Sequence, residues 1–179
     1  MPGSLVHLLP ILPATAPAVR ELARHFTFAP VTEREGVHFF PAVAGFDVGN
    51  GSQVDVSYLY SFTTDATPGV DRHLRTQEMF VPLDGDLCLP LAPSRRPQDR
   101  DDHPRPEDFV AVVVRHGEAL ILNANVWHNG GWPVDPHKGV RYIMVLSGHR
   151  AGAEGEEYLD FQTATLPGEA ALLPDWRNR

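Results

Sequence analysis

Proline and glycine divide this chain into short segments. The sequence holds 17 prolines and 15 glycines in 179 residues, and most of its apolar runs lie between one of these residues and the next. Proline cannot continue a helix, and both residues favour turns, so the pattern argues against a bundle of long helices. It predicts short strands joined by turns, and therefore an all-β fold.

About ten short strands are predicted, which is typical of a β-sandwich or barrel. The clearest covers residues 53–63, where apolar and polar residues alternate as in a strand with one buried face. The expected buried face consists of Val54, Val56, Tyr58, Tyr60 and Phe62. Further strands are predicted at residues 6–9, 27–29, 37–40, 86–91, 109–115, 119–122, 140–147 and 157–162.

Helix is expected only near the two ends of the chain. Val19, Leu22, Ala23 and Phe26 share one face at helical spacing, which predicts a short N-terminal helix. A helical turn is expected at residues 169–173. There is no alternation of strands with helices, and the length fits a single domain, 1–179. Residues 93–108, rich in proline and charge, predict an exposed loop, and the sequence leaves open whether it closes over a pocket.

Charge and composition narrow the class of partner. The formal net charge of -8 argues against nucleic acid and anionic membranes. No apolar run approaches the roughly 20 residues that span a bilayer, and the N-terminus lacks the basic leader of a signal peptide. Cys88, the single cysteine, is expected to be buried, and a reducing cytoplasm is the natural compartment. A small molecule is the expected partner.

Residues 69–85 carry the chemistry-bearing side chains. His73, Arg75 and Gln77 share one parity and would project from the same face of an unbroken strand, whereas Glu78 has the opposite parity. A turn or bulge between His73 and Glu78 is therefore needed to aim both at one point. The Asp84-Gly85 pair that follows an apolar run is a strong hairpin signal.

A second segment complements the first. Residues 117–128 begin at a glycine turn, continue through apolar strand residues and end on Trp127-His128. Asn123 and Asn125 bracket a predicted turn, since asparagine tolerates left-handed backbone angles.

The spacing of these two segments resembles the two motifs of the cupin superfamily. Glu78, followed after six residues by Gly85, matches the end of the first cupin motif. Gly117, followed by Asn123, Asn125 and His128, matches the second. Arg75 stands where the first motif usually has its second histidine. The resemblance implies a double-stranded β-helix, also called a cupin or jelly-roll barrel.

Within the cupins, the chain most resembles the ureidoglycolate lyase family of allantoin degradation and purine catabolism. The resemblance rests on residues 71–85 and on residues 117–128 with their Asn-Val-Trp-His end. It implies a C–N lyase that splits ureidoglycolate into glyoxylate and urea, and a homodimer. Glu78 stands where that family usually has glutamine, which leaves the exact substrate open.

The lyase chemistry assigns a role to each candidate residue. His128, helped by His73, would be the base that takes the hydroxyl proton, because a histidine titrates near neutral pH. Glu78 would be the acid if burial raises its pKa. Arg75 or Arg72 would pair with the substrate carboxylate, and Asn125 is a further candidate for substrate binding.

The same residues also suit a metal. His73, Glu78 and His128 form a set of two histidines and one carboxylate that leaves positions open for substrate on Zn, Mn, Ni or Fe. The sequence leaves open whether a metal is bound, and it gives no sign of an organic cofactor. Two alternatives to the lyase remain: another metal-dependent cupin enzyme, an oxygenase or isomerase, and a non-catalytic cupin that binds a small ligand.

Overall fold

The structure is a computed structural model, which describes residues 5–28, 44–45, 54–147 and 160–178. It confirms the all-β prediction, and the fold is a cupin-like double-stranded β-helix. The described strands are β1 (Val6–Leu9), β2 (Ile11–Pro13), β3 (Ala23–Thr27), β4 (Val54–Ser61), β5 (Gly69–His73), β6 (Glu78–Pro82), β7 (Leu87–Pro93), β8 (Val110–Val114), β9 (Glu118–Leu122), β10 (Val126–His128), β11 (Trp132–Pro133), β12 (Val140–Ser147), β13 (Phe161–Thr165) and β14 (Ala171–Pro174).

Two sheets form the barrel. Sheet I has seven strands in the order β13-β5-β10-β7-β8-β2, with β11 also paired to β7. Sheet II has five strands in the order β3-β9-β6-β12-β4. A separate parallel pair, β1 with β14, brings together segments from the two ends of the described chain. Most neighbours within each sheet are distant in sequence, so the fold depends on long-range pairing.

Sheet I is packed on both of its faces. One apolar cluster lies between the sheets and includes Phe80, Leu89 and Leu120. A second cluster, which includes Trp127 and Leu172, covers the opposite face of sheet I. Because side chains alternate along a strand, consecutive residues of β5 and β10 face these two different environments.

The alternation predicted for residues 53–63 is present, but the predicted buried face is the wrong one. Val54, Val56, Tyr58, Tyr60 and Phe62 are 45–70% exposed. The register explains this difference. The buried residue Leu146 of β12 pairs with buried Glu78 of β6 on one side and with Asp55 of β4 on the other, so Asp55 faces the interior. The half-buried face of β4 therefore carries Asp55, Ser57, Leu59 and Ser61.

Helix is scarcer than predicted in the described residues. The N-terminal helix is reduced to a three-residue 3₁₀ turn, Pro17–Val19, and Ala23 and Phe26 belong to strand β3. The helical turn expected at 169–173 is a 3₁₀ turn, Pro167–Glu169, followed by β14. In both places the residues pair with another strand instead, β3 with β9 and β14 with β1. A helix of a few residues has little stability of its own, so strand pairing is favoured. No helix in the described residues is long and apolar enough to cross a membrane.

The remaining predictions differ in their outcome. Cys88 is fully buried in the second apolar cluster, as expected. The loop at 93–108 is exposed over much of its length, yet Asp102 within it is only 3% exposed. The predicted strand at 37–40 and the first residues of the predicted strand at 157–162 lie outside the described residues.

Candidate functional site

Three strand ends bring the predicted site residues together. His73 is the last residue of β5, Glu78 is the first residue of β6, and His128 is the last residue of β10. Strands β5 and β10 are antiparallel neighbours in which Asp71 is opposite His128, so the two histidines lie on the same face. The rings of His73 and His128 are stacked, with centroids 5.9 Å apart.

A short turn supplies the change of direction that the sequence requires. Residues 74–77 separate β5 from β6, so His73 projects from sheet I and Glu78 from sheet II. Asn125 fixes one side of this turn: its backbone N–H donates to the His73 carbonyl at 2.6 Å, and its side-chain amide donates to the Leu74 carbonyl at 2.8 Å. Asn125 has a φ of 66°, the left-handed conformation that its predicted turn position favours.

The three side chains converge on one oxygen. Glu78 Oε2 lies 2.5 Å from His128 Nε2 and 3.5 Å from His73 Nε2. The possible ligand atoms of the three residues all lie within 4.8 Å of one another. Each residue is at most 5% exposed. We call His73, Glu78 and His128 the triad.

The outer nitrogens of the two triad histidines lie near different groups. His128 Nδ1 lies 2.9 Å from the Val126 carbonyl, an acceptor, so that Nδ1 carries the proton and Nε2 faces Glu78. His73 Nδ1 lies 3.5 Å from Asp160 Oδ2. Outer partners of this kind set the tautomer of metal-binding histidines in proteins.

Burial and charge act together on the titration of the site. Burial opposes protonation of His128, but the adjacent Glu78 carboxylate outweighs it and raises the pKa of His128. Burial is also the main cause that raises the pKa of Asp71, and it raises the pKa of Tyr142 to about 12 with help from the charge of Glu78. Three carboxylates, Asp71, Glu78 and Asp160, thus surround two histidines, an arrangement that favours a bound cation.

The triad fits the coordination preferences of a divalent transition metal. Ligand atoms about 2.1 Å from one ion are at most about 4.2 Å apart, so the observed spread needs only a small adjustment of the side chains. Two imidazole nitrogens and one carboxylate oxygen are the donor set of several catalytic zinc and non-haem iron sites. Such a set leaves coordination positions open for a substrate.

Arg72 does not have the predicted role. Its side chain lies on the opposite face of β5 from His73 and is fully buried. All five N–H donors are used: Nε and Nη2 donate to Gln162 Oε1, Nη2 also donates to the Asp99 carbonyl, and Nη1 donates to Ser94 Oγ and Asp102 Oδ2. The prediction that Arg72 pairs with a substrate carboxylate does not fit this placement, because no donor remains.

Arg75 lies outside the enclosed site. Its side chain is 62% exposed, and its Nε is 3.8 Å from Asp160 Oδ1. Asn125 makes the backbone contacts given above, and its Oδ1 is buried without a hydrogen-bond partner among the described residues. A role for either side chain in substrate binding therefore stays a prediction.

The two larger cavities described by the structure are lined by residues other than the triad. One of about 290 Å³ is lined in part by Tyr60, Tyr142 and Gly130, next to the end of β10. Another of about 270 Å³ lies between Trp132 and Trp176. Within the described residues, neither cavity includes a triad side chain.

Two residues near the triad were not predicted. Asp71 shares parity with His73 and lies in the segment already singled out, so the period of the strand was a sufficient signal for it. Asp160 is far away in sequence and matches no motif. Only the pairing of β13 with β5 brings it to His73, and the sequence contains no local signal of that pairing.

Comparisons with known proteins add similarity in fold. No family model and no curated protein matches the sequence. Among solved structures, the chain is similar to the sugar 3,4-ketoisomerase QdtA from Thermoanaerobacterium thermosaccharolyticum, in complex with TDP-4-keto-6-deoxyglucose, at 15% identity, with 78% of this chain and 86% of that chain covered and a TM-score of 0.49. The chain is also similar to WlaRA, the TDP-fucose-3,4-ketoisomerase from Campylobacter jejuni, at 11% identity, with 78% of this chain and 87% of that chain covered and a TM-score of 0.49. A dTDP sugar isomerase from Desulfovibrio desulfuricans is 14% identical, with 82% of this chain and 85% of that chain covered and a TM-score of 0.45. At these identities the likeness concerns the fold alone.

The expected ureidoglycolate lyase activity is wrong. The solved structures found are sugar isomerases, and no family model links the chain to the lyase family. The structure also removes one of the two arginines proposed to bind the substrate carboxylate, since Arg72 is fully occupied on the other face of β5. The predicted role in allantoin degradation and purine catabolism is therefore wrong as well. The cupin-like fold remains.

Proposed function

We propose that this chain is a metal-dependent cupin enzyme that isomerises a small carbonyl compound. His73, Glu78 and His128 would hold one divalent transition metal, with Zn, Mn, Ni and Fe as the candidates. The supporting observation is the convergence of the three buried side chains on Glu78 Oε2, with His128 Nδ1 at the Val126 carbonyl and His73 Nδ1 3.5 Å from Asp160 Oδ2. Buried charges that converge in this way are costly unless a cation or proton compensates them.

A metal bound there would supply a Lewis acid that polarises a substrate carbonyl. The residues of the chain would contribute orientation, exclusion of water and a proton carrier. Asp71 is the candidate carrier, because it lies opposite His128 in the ladder and shares the inner face of β5 with His73. Cross-strand neighbours of this kind have Cβ atoms about 5 Å apart, within reach of a substrate bound at the triad. Moving a proton between adjacent carbons is the core step of a ketone isomerisation.

An oxygenase is the alternative enzyme, because the same donor set also holds non-haem iron. It would not need a proton carrier at Asp71, and this carboxylate is the reason why we favour an isomerase. A cupin that binds a small ligand without turnover is the third class. Each of the three predicts a different result in the experiments below.

Metal binding is tested first. We expect about one equivalent of a divalent metal per chain after reconstitution of the chelated protein, measured by elemental analysis and by calorimetric titration. Glu78→Gln should weaken binding at least about 100-fold, since even indirect partners of metal ligands account for 10–100-fold. Glu118→Gln is the matched control, because Glu118 also pairs with a histidine, His25, at 3.3 Å. Equal affinity of the two variants, or no binding by the wild type, would refute the metal site.

The reaction class is tested on the reconstituted protein. A panel of α-hydroxy ketones and keto sugars is incubated in D₂O, and deuterium incorporation is followed by NMR beside oxygen uptake at an electrode. Exchange without oxygen uptake supports the isomerase, and Asp71→Asn should abolish it while metal content is retained. Oxygen uptake without exchange would support the oxygenase, and neither signal across the panel would favour the ligand-binding class.

We also propose that the chain forms a homodimer through the exposed face of β4. The alternating residues Val54, Val56, Tyr58, Tyr60 and Phe62 carry no acid or base that is charged at pH 7, although the chain has a net charge of -8. The net negative charge opposes association of two copies, and an uncharged face brings the fewest like charges together. This face is therefore the best surface for a contact between two copies. A standard interface needs about 800 Å² per partner, and three aromatic rings of about 200 Å² each provide a large part of it.

The assembly is tested by analytical ultracentrifugation. We expect a dimer for the wild type at micromolar concentration and a monomer for Val56→Lys. Leu5→Lys, at an exposed leucine just before β1 and outside sheet II, serves as the control and should remain dimeric. A monomeric wild type, or a dimer that survives Val56→Lys, would refute this surface.

A further inference from the structure

The two histidines of the triad have chemically different outer partners. His128 Nδ1 faces a neutral backbone carbonyl, that of Val126, two residues earlier in the same strand. His73 Nδ1 faces the carboxylate of Asp160, which lies just before β13. The position of the Val126 carbonyl relative to His128 is fixed by the strand that contains both residues. The position of Asp160 relative to His73 depends on the pairing of two distant strands, β13 and β5.

Asp160 also holds the turn that separates His73 from Glu78. The backbone N–H of Arg75 donates to Asp160 Oδ1 at 2.7 Å, and Thr76 Oγ1 donates to Asp160 Oδ2 at 2.5 Å. The backbone N–H of Leu74 donates to the carbonyl of Asp160 at 2.7 Å. One residue therefore contacts three consecutive positions of a four-residue turn.

The residue that follows Asp160 contacts the same histidine. Phe161 is opposite His73 in the ladder between β13 and β5, and the two rings have centroids 5.5 Å apart. The ring of His73 is thus restrained by Asp160 at Nδ1, by Phe161 on one side and by the stacked ring of His128. Asp160 is itself largely buried, with a side chain 13% exposed.

We propose that Asp160 is a positioning residue that fixes the tautomer and orientation of His73 and, through the 74–77 turn, the separation of His73 from Glu78, so that it sets the affinity of the triad for its metal. This inference rests on the proposed metal site. A carboxylate 3.5 Å from Nδ1 favours the tautomer that carries its proton on Nδ1, and this tautomer leaves the lone pair of Nε2 on the side of Glu78 Oε2. Without Asp160, both tautomers and other ring rotations of His73 become accessible.

The test uses three variants and two readouts on the full chain. Asp160→Ala removes every side-chain contact, Asp160→Asn keeps the shape without the charge, and Thr76→Val removes one bond of the turn without altering the partner of His73. Affinity for Zn²⁺ is measured by competition with a chromophoric chelator. The tautomer of His73 is measured by ¹⁵N NMR of the metal-free protein.

We expect Asp160→Ala to lose 10–100-fold in Zn²⁺ affinity and to show a mixture of His73 tautomers. Asp160→Asn should lose less, and Thr76→Val less than about threefold with the wild-type tautomer. Asp84→Asn, which removes an exposed carboxylate paired with Arg141, controls for the change in net charge and should match the wild type.

The outcomes separate this inference from the proposed function. If Asp160→Asn and Thr76→Val weaken Zn²⁺ equally and leave the tautomer unchanged, Asp160 only closes a turn and the inference is wrong. If the wild type binds no metal, the proposed function fails, and the tautomer of His73 alone then decides whether Asp160 positions it. If Asp160→Ala does not fold, the comparison of Asp160→Asn with Thr76→Val still decides.

Discussion

The two faces of strands β5 and β10 place similar charged groups in opposite situations. On one face, Arg72 packs over the ring of Trp127, with its guanidinium carbon 4.6 Å from the ring centroid. On the other face, the next residues in sequence, His73 and His128, point at Glu78. Both faces are buried, and both contain carboxylates. On the first face each nitrogen of the Arg72 guanidinium donates to an acceptor of the protein, whereas on the second face two histidines share one carboxylate oxygen.

The face that carries Arg72 is a closed structural network. Asp102 accepts hydrogen bonds from Arg72, from Ser94 Oγ at 2.7 Å and from Trp127 Nε1 at 3.4 Å. We call Arg72, Ser94, Asp102, Trp127 and Gln162 the clasp. It holds the 93–108 loop against the outer face of sheet I, so the loop is anchored on the side away from the triad.

The comparison shows how burial distinguishes structure from a candidate site. In the clasp, the N–H donors of Arg72 are used by acceptors of the protein, so none is left for a ligand and the network stabilises the fold. In the triad, one carboxylate oxygen is shared by two histidines that approach from different strands, a geometry that a single central ion would satisfy better. The predictions below test this difference by changing adjacent residues.

The largest effect is expected from Arg72→Leu. The substitution removes the buried cation of Asp102 and leaves only the exposed Arg96, whose Nε is 3.8 Å from Asp102 Oδ1. Removal of one partner of a buried ion pair costs about 3–5 kcal/mol. Urea denaturation of the metal-free protein measures this loss. His73→Leu, one residue further along but on the other face, leaves Asp160 with two other donors, the Arg75 N–H and the Thr76 hydroxyl, so it should cost less stability than Arg72→Leu while it abolishes metal binding. Equal losses of stability in the two variants would contradict the division between the faces.

A smaller effect is expected from Trp127→Phe. This variant loses the indole N–H that donates to Asp102 and part of the attraction between the ring and Arg72, for a combined cost of about 2 kcal/mol. Zn²⁺ affinity should stay within about threefold of the wild type, although His128 is the adjacent residue. A loss of affinity larger than the loss seen for Asp160→Asn would mean that the two faces are coupled.

Much of the fold and the centre of the site follow from local sequence. The proline and glycine pattern predicts the all-β class, and the spacing of His73, Glu78 and His128 predicts that they meet. The required turn between His73 and Glu78 is present at residues 74–77. Pattern and parity were sufficient for the strands and the turn, whereas the prediction that His128 meets the other two residues rested on the resemblance to the two cupin motifs.

Other features depend on pairing between distant strands. The period of two in β4 shows that one face is apolar, but only the register with β12 shows that this face is turned outward. The parity of Arg72 is opposite to that of His73, a signal that the prediction of a substrate-binding Arg72 did not use. Its partners Asp102 and Gln162 lie 30 and 90 residues away, which no local pattern shows. The same holds for Asp160. The reaction was mispredicted because a motif specifies which side chains converge and leaves the substrate open.

The smallest expected effect is an opposite response of the two faces to pH. Burial would raise the pKa of Asp102, but hydrogen bonds from Ser94 and Trp127 and the charge of Arg72 outweigh it and lower the pKa below its ordinary value of 3.8. Its contribution to stability is therefore complete above about pH 4 and is lost as the pH falls through the lowered pKa. The pKa of His128 is raised above 6.5, so its contribution is complete below that pH and is lost as the pH rises through the raised pKa.

Urea denaturation of the chelated protein across this range should show Asp102→Asn with a flatter acid limb and an unchanged alkaline limb. Asp101→Asn, an exposed carboxylate of the same loop, is the control, and a flattened acid limb in that variant would show that general charge on the loop, rather than the clasp, sets the response.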